Sequence, residues 1–168
     1  MAMWRTAVLL ACSVAAATVL VRADDLSVVA APGVDFSAFS TFAVHDGAIR
    51  SGRPELDNRL FAKKLARTIQ SALEARGLNA SANQPDLLVD FTLTGQDFAV
   101  GERPPAAGLG PQPRRFTEGT LVIDLTRSGE TDPIWRGTYR DDESTGSKLA
   151  IKLPDDAKKL IDRLPTKK

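Results

Sequence analysis

The stretch GTLVIDLTRSGETDPIWRGTYR, residues 119–140, sets two apolar-alternating runs around a turn. Leu121, Ile123 and Leu125 fall on one side of the first run, and Thr120, Asp124 and Thr126 on the other. A period of two marks a strand that buries one face. RSGETDP supplies the turn before Ile134 to Arg140 run back, so the stretch predicts an antiparallel hairpin. On the return strand Trp135, Gly137 and Tyr139 share a face, and a glycine between two aromatics lets a ring or a neighbouring backbone lie close. The favoured reading packs Trp135 beneath the helices, while Arg136, on the opposite face, pairs with Asp124 or Asp90.

Upstream, PDLLVDFTLTG (residues 85–95) repeats the alternation through Leu87, Val89, Phe91 and Leu93 and predicts a second half-buried strand. Between the two strand regions lies QDFAVGERPPAAGLGPQPRR, residues 96–115, with four prolines and three glycines. So many breakers predict one long exposed loop, a length that compact domains reserve for functional or mobile connectors. Arg114 and Arg115 at its end are candidate contact residues, as are Trp135, Arg136 and Tyr139, because aromatic residues and arginine are enriched at binding hot spots.

Helical period appears in SGRPELDNRLFAKKLARTIQSALEARGLNA, residues 51–80. Pro54, Glu55 and Asp57 carry start chemistry, since proline lacks an N–H that would go unpaired there and acids favour the positive helix end. Leu60, Phe61, Leu65, Ile69, Ala72 and Leu73 form an apolar stripe, and Gly77 is the expected stop. VDFSAFSTFAV (34–44) places Phe36, Phe39 and Phe42 before the helix, with Thr41 to Val44 as a short strand. At the other end Pro154, Asp155 and Asp156 are read as the start of a second helix, with Ala157, Leu160, Ile161 and Leu164 as its stripe and Pro165 as its end.

These elements predict an α+β fold: a mixed, mainly antiparallel sheet of four to five strands with two helices on one face. A strand, the long helix and a second strand form a crossover, the hairpin extends the sheet, and the C-terminal helix packs beside the first. The other sheet face stays partly open to a partner strand or an apolar ligand.

The chain has 168 residues, 43% hydrophobic and 26% charged, the range of one ordinary globular domain. Its first 23 residues differ. Arg5 precedes an uncharged apolar run from Thr6 to Val21, and Val21-Arg22-Ala23 offers small residues to a signal peptidase, so residues 1–23 are read as a secretory signal and 24–168 as a single domain. At about 1.5 Å per residue the run spans roughly 24 Å as a helix, short of a hydrocarbon core of about 30 Å. Removing it takes away Arg5 and Arg22 and no acid, leaving 20 basic and 21 acidic residues. That balance lacks the basic excess a nucleic-acid partner requires.

Cys12 is the only cysteine. Leu9-Leu10-Ala11-Cys12 fits the lipobox pattern, which makes lipidation of Cys12 the alternative to cleavage after Ala23. The short apolar run before Cys12 and the apolar continuation through Val21 favour removal of Cys12 with the signal. The mature domain then has no disulfide and no thiol ligand. His45 is the only histidine, which excludes multi-histidine metal sites and most nucleophile–base arrangements. Asp141, Asp142 and Glu143 cluster after the hairpin without the alternating spacing of a calcium loop, and they are read as a solvated turn. No cofactor is expected.

Taken in order, VDFSAFSTFAV, a helix ending LEARGL, PDLLVDFTLT, GTLVIDLTRSGETDPIWRGTYR and a closing helix running into LIDRLP make the chain resemble the bacterial domain-of-unknown-function 4136 family (DUF4136) over residues 34–165. The resemblance implies an exported, often lipoprotein-like envelope protein, and it brings no reaction. The leading expectation is therefore a non-catalytic periplasmic domain that binds another envelope component, with membrane contact only if Cys12 is lipidated or the signal is uncleaved. A carrier or sensor of a small apolar ligand is the alternative, and a carboxylate-based hydrolase comes last.

Overall fold

The alternating runs become the middle of a mixed sheet. The computed structural model of the chain describes residues 25–103 and 112–165. Three long antiparallel strands, β5 (Leu87–Arg103), β6 (Gln112–Arg127) and β7 (Pro133–Glu143), carry β1 (Asp25–Ala30) antiparallel along β7. On the far side β2 (Thr41–Val44) and β3 (Ala48–Arg50) both run parallel to β5, and β4 (Asn79–Ala80) runs parallel to β2. The order is β1-β7-β6-β5-β2-β4, with β3 on β5. The sheet has seven strands rather than four or five. The additions are β1, of six residues, and β3 and β4, whose three and two residues are too few to display a period of two.

Register sets one apolar face. Val89, Leu125 and Trp135 line up across three strands, as do Phe91, Ile123 and Gly137, and then Leu93, Leu121 and Tyr139. Each of the large side chains in these rows is buried. Helices α1 (Arg59–Ala75) and α2 (Gly146–Ile161) cover this face, with Leu65, Ile69 and Leu73 from one and Leu149, Leu153 and Leu160 from the other fully enclosed. Each such side chain contributes about 1.5–3 kcal/mol by leaving water. The opposite face alternates Leu88, Asp90, Thr92, Thr94, Thr120, Val122, Asp124, Arg136 and Arg140, and among the described residues no helix lies over it.

Both helices start elsewhere than expected. Pro54 to Asp57 form turns, and α1 begins after Asn58, whose side chain accepts from the Phe61 N–H and satisfies one of the unpaired helix donors. Leu60 then points to solvent at 82% exposure, while Leu56, in the preceding turn, is fully buried. Gly77 ends the helix at φ +85° as expected. Helix α2 starts two turns before Pro154, capped by Thr145, and encloses the proline; it ends at Ile161. Proline and two aspartates resemble a helix start, but a proline inside a helix forfeits one backbone bond, and here the ring is buried against the core.

The expected loop at 96–115 is strand on both flanks. β5 continues to Arg103 and β6 begins at Gln112, paired from Gln96–Glu118 to Arg103–Gln112 with an irregularity at Val100–Glu102. Residues 104–111, which hold Pro104, Pro105 and Pro111, lie outside the described residues. Gly95 does not break β5. A Cβ there would stand 2.8 Å from the Ser51 carbonyl oxygen, so glycine allows the segment before α1 to cross close over the strand.

Candidate functional site

β7 sends the expected site residues in opposite directions. Trp135 and Tyr139 point under the helices, at 0% and 3% exposure, and belong to the core. The Trp135 indole folds over Gly137, and its Nε1 is buried without an acceptor among the described residues. The Tyr139 ring carries the Lys159 ammonium 5.4 Å from its centroid, a cation–π contact. A partner docking from outside therefore meets neither aromatic residue.

Arg136 stands on the open face. Its guanidinium donates to both Asp124 oxygens, Nε to Oδ1 at 2.6 Å and Nη2 to Oδ2 at 2.8 Å. This carboxylate holds the Arg136 pKa above its ordinary value, first through the hydrogen bond and then through charge. Arg140 and Glu118 lie 3.3 Å apart on the same face, and His45 Nδ1 lies 3.1 Å from Asp90 Oδ1. Val29 on edge strand β1 is in register with Arg136 and is 64% exposed. The open face thus carries ion pairs around the half-buried Leu88 and Val122, with the exposed Val29 at its edge.

Past Gln96 and Thr117, β5 and β6 pair only with each other among the described strands, because β3 leaves β5 at Thr94 and β7 leaves β6 at Thr117. They form a two-stranded ribbon whose outer edges pair with no other described strand. Arg114 and Arg115 sit on it opposite Val100 and Ala99. The root is anchored: Arg53 donates through Nε to Asp97 Oδ1 at 3.1 Å and through Nη2 to the buried Thr117 hydroxyl at 3.0 Å, and that hydroxyl donates to Asp97 at 3.1 Å. This arrangement lay beyond sequence reasoning, which ended the strand at Gly95.

Two members of the acidic triplet, Asp141 and Glu143, are tied to α2, while Asp142 is exposed as expected. The Lys152 ammonium pairs with Glu143 and lies 3.4 Å from Asp141 Oδ2, an ion pair whose geometry falls short of a hydrogen bond. Burial pushes the Asp141 pKa up, against the pull of Lys152, and the nearby Asp156 charge adds to the rise. Glu143, hydrogen-bonded by Lys152, is held below its ordinary value. Asp156, buried at 2% exposure, pairs with Lys159 at 3.0 Å. Among the described residues no three His, Cys, Asp or Glu groups stand where they could hold a metal ion.

A groove of about 770 Å³ runs between α1 and α2, lined among others by Leu60, Lys63, Lys64, Arg67, Lys158 and Asp162. Sequence reasoning placed Leu60 in the apolar stripe and gave the bases beside it no role; the signal it passed over is RLFAKKLAR, with four bases in nine residues and no acid. Under the helices, the space bounded by Phe36, Leu78, Leu87 and Leu164 amounts to about 10 Å³, far below the roughly 300 Å³ at which ligand pockets begin. Among the described residues no helix is long and apolar enough to cross a membrane. Cys12 lies outside the described residues.

An α+β domain whose described residues form a seven-stranded sheet with both helices on one face is the class that fold and site define. Residues 27–166 match the family described as Domain of unknown function (DUF4136), and the chain belongs to that family. Among solved structures it is similar to a DUF4136 family protein from Bacteroides thetaiotaomicron, with 16% identity and TM-score 0.54 over 85% of this chain and 97% of the other. It is also similar to a Helicobacter pylori protein named as a neuraminyllactose-binding hemagglutinin homologue, with 15% identity and TM-score 0.51 over 75% and 86%. A PDZ domain protein from Parabacteroides distasonis aligns with 81% of this chain at 14% identity and TM-score 0.48, and the chain spans 35% of that protein's length. No curated protein matches the chain in sequence.

Proposed function

We propose that the chain is a non-catalytic domain of the bacterial envelope, exported by residues 1–23 into the periplasm, that binds another envelope component along the β5–β6 ribbon. The ribbon carries this reading. Two strands leave the sheet together, their root is fastened by Arg53, Asp97 and Thr117, and their outer edges offer backbone donors and acceptors to an added strand. A projecting two-stranded element is marginal by itself, so an anchored root makes a dockable edge out of a segment that would otherwise fray. Arg114 and Arg115 place two cations at the ribbon and complement an acidic edge or rim on the partner. The secretory pattern of residues 1–23 supports the compartment, and membership of a family without an assigned reaction agrees with a binding role.

The test is affinity recovery from solubilised envelopes with the intact chain and with an Arg114→Glu/Arg115→Glu variant. One reproducible partner, captured by the first and lost by the second, is the expected result. Equal recovery by both, or no reproducible partner, overturns the reading.

A further inference from the structure

Charge is neutralised unevenly over this molecule. Arg136, Lys152 and Lys159 each meet an acid. On α1, Arg59, Lys63, Lys64 and Arg67 meet none among the described residues. The formal charge of the whole chain is only +1, so these four bases are a local excess. Arg59, Lys63 and Arg67 follow one another at four-residue spacing along one line of the helix, where like charges repel and weaken it. Asp46 lines a hollow beside Arg59, Lys63 and Arg67 without forming an ion pair with any of them.

Among these cations stands Leu60, 82% exposed. Helix α2 lies alongside and in the same direction: Gly146, at its start, abuts the Glu55 side chain before α1, and Arg76, at the end of α1, donates to the Leu164 carbonyl just past α2. Ile151 is 72% exposed and falls on the α2 stripe that continues through Asp155, Lys158 and Asp162. Lys158 adds a cation to the groove, and Asp162, the acid lining it, sits just beyond the α2 C-terminus, at the end away from Leu60. Two helices side by side thus present one layer with unpaired cations and an exposed aliphatic tip on each.

We propose that this helical face lies on the surface of an anionic phospholipid bilayer, with lipid phosphates at Lys63, Lys64, Arg67 and Lys158 and with Leu60 and Ile151 dipping to the acyl boundary. Charge complementarity selects the anionic lipid, and the aliphatic tips on both helices select a bilayer over an acidic protein, because an interfacial element combines basic residues with apolar side chains that enter the headgroup layer. Long lysine and arginine stems allow the charge to remain at phosphate level while the helices settle. The site is separate from the ribbon, so the two readings fail independently.

The test is sedimentation of the full chain with vesicles of phosphatidylethanolamine mixed with phosphatidylglycerol, and with vesicles of phosphatidylcholine alone. Variants Lys63→Gln/Lys64→Gln/Arg67→Gln and Leu60→Ser keep residues 1–23, so whatever those residues contribute cancels in the comparison. The expected result is preferential binding to the anionic vesicles, a loss of roughly fivefold per cation removed, hence on the order of 100-fold for the triple variant, and a smaller loss for Leu60→Ser. A Lys63→Arg/Lys64→Arg variant should bind as the parent does. Equal partition of parent and triple variant overturns the proposal, as does equal binding to both vesicle types. Binding of soluble polyglutamate without binding of vesicles also overturns it, in favour of an acidic protein.

Discussion

Trp135 and Gly137, two positions apart on β7, share one packing site: a Cβ on Gly137 would stand 2.5 Å from Trp135 Cη2 and 3.1 Å from Leu160 Cδ2. The glycine is what allows the indole to lie flat between sheet and α2. Replacing Gly137 with Ala is expected to destabilise the domain by about 1–3 kcal/mol, because the core must shift to admit a methyl group. Denaturant titration checks this; an unchanged midpoint would mean that the indole swings aside without loss.

The Arg136–Asp124 pair invites the opposite expectation. Its geometry is bidentate, but the Arg136 side chain is 52% exposed and water screens the charge. A double-mutant cycle with Arg136→Ala and Asp124→Ala should give a coupling of about 0.2–1 kcal/mol that shrinks as salt is added. A salt-independent coupling of several kcal/mol would contradict the open face.

Asp141 and Glu143 should drive stability in opposite directions with pH. The folded pKa of Glu143 lies below its ordinary 4.5, so its contribution is present above that value and is lost as pH falls through the lower folded pKa. The folded pKa of Asp141 lies above its ordinary 3.8, so ionisation costs stability as pH rises past that value. Glu143→Gln is expected to weaken the domain at neutral pH, and Asp141→Asn to strengthen it there, with both differences fading in acid. Denaturant midpoints measured from neutral to acidic pH decide the signs, and a stabilising Glu143→Gln would exclude the Lys152 clamp.

Much of the architecture was legible in the residues. Leu121, Ile123 and Leu125 alternate because one face of β6 is dry, and the crossover and the packing of α2 beside α1 follow from apolar stripes long enough to repeat. Boundaries were less legible. Asn58 and Thr145 cap helices that Pro54 and Pro154 seemed to open, since several residue types favour a helix start and only the tertiary fold selects which one is used. Of the candidate site, Trp135 packs beneath the helices and Arg136 pairs with Asp124 on the opposite face, both as expected, and Tyr139 proves to be core as well.

By itself, then, the sequence determined the class of fold, the dry face of the sheet and the family, because these rest on periodicities and spacings that act locally along the chain. Tertiary structure alone decided the edge strands β3 and β4, the ribbon that replaces an expected loop, and the unpaired cations of α1. Each of these depends on what a residue meets across space. Gly95 reads as a breaker until Ser51 is found against it, and Lys63 as an ordinary solvated charge until it is seen to share a groove with Lys64, Arg67 and Lys158.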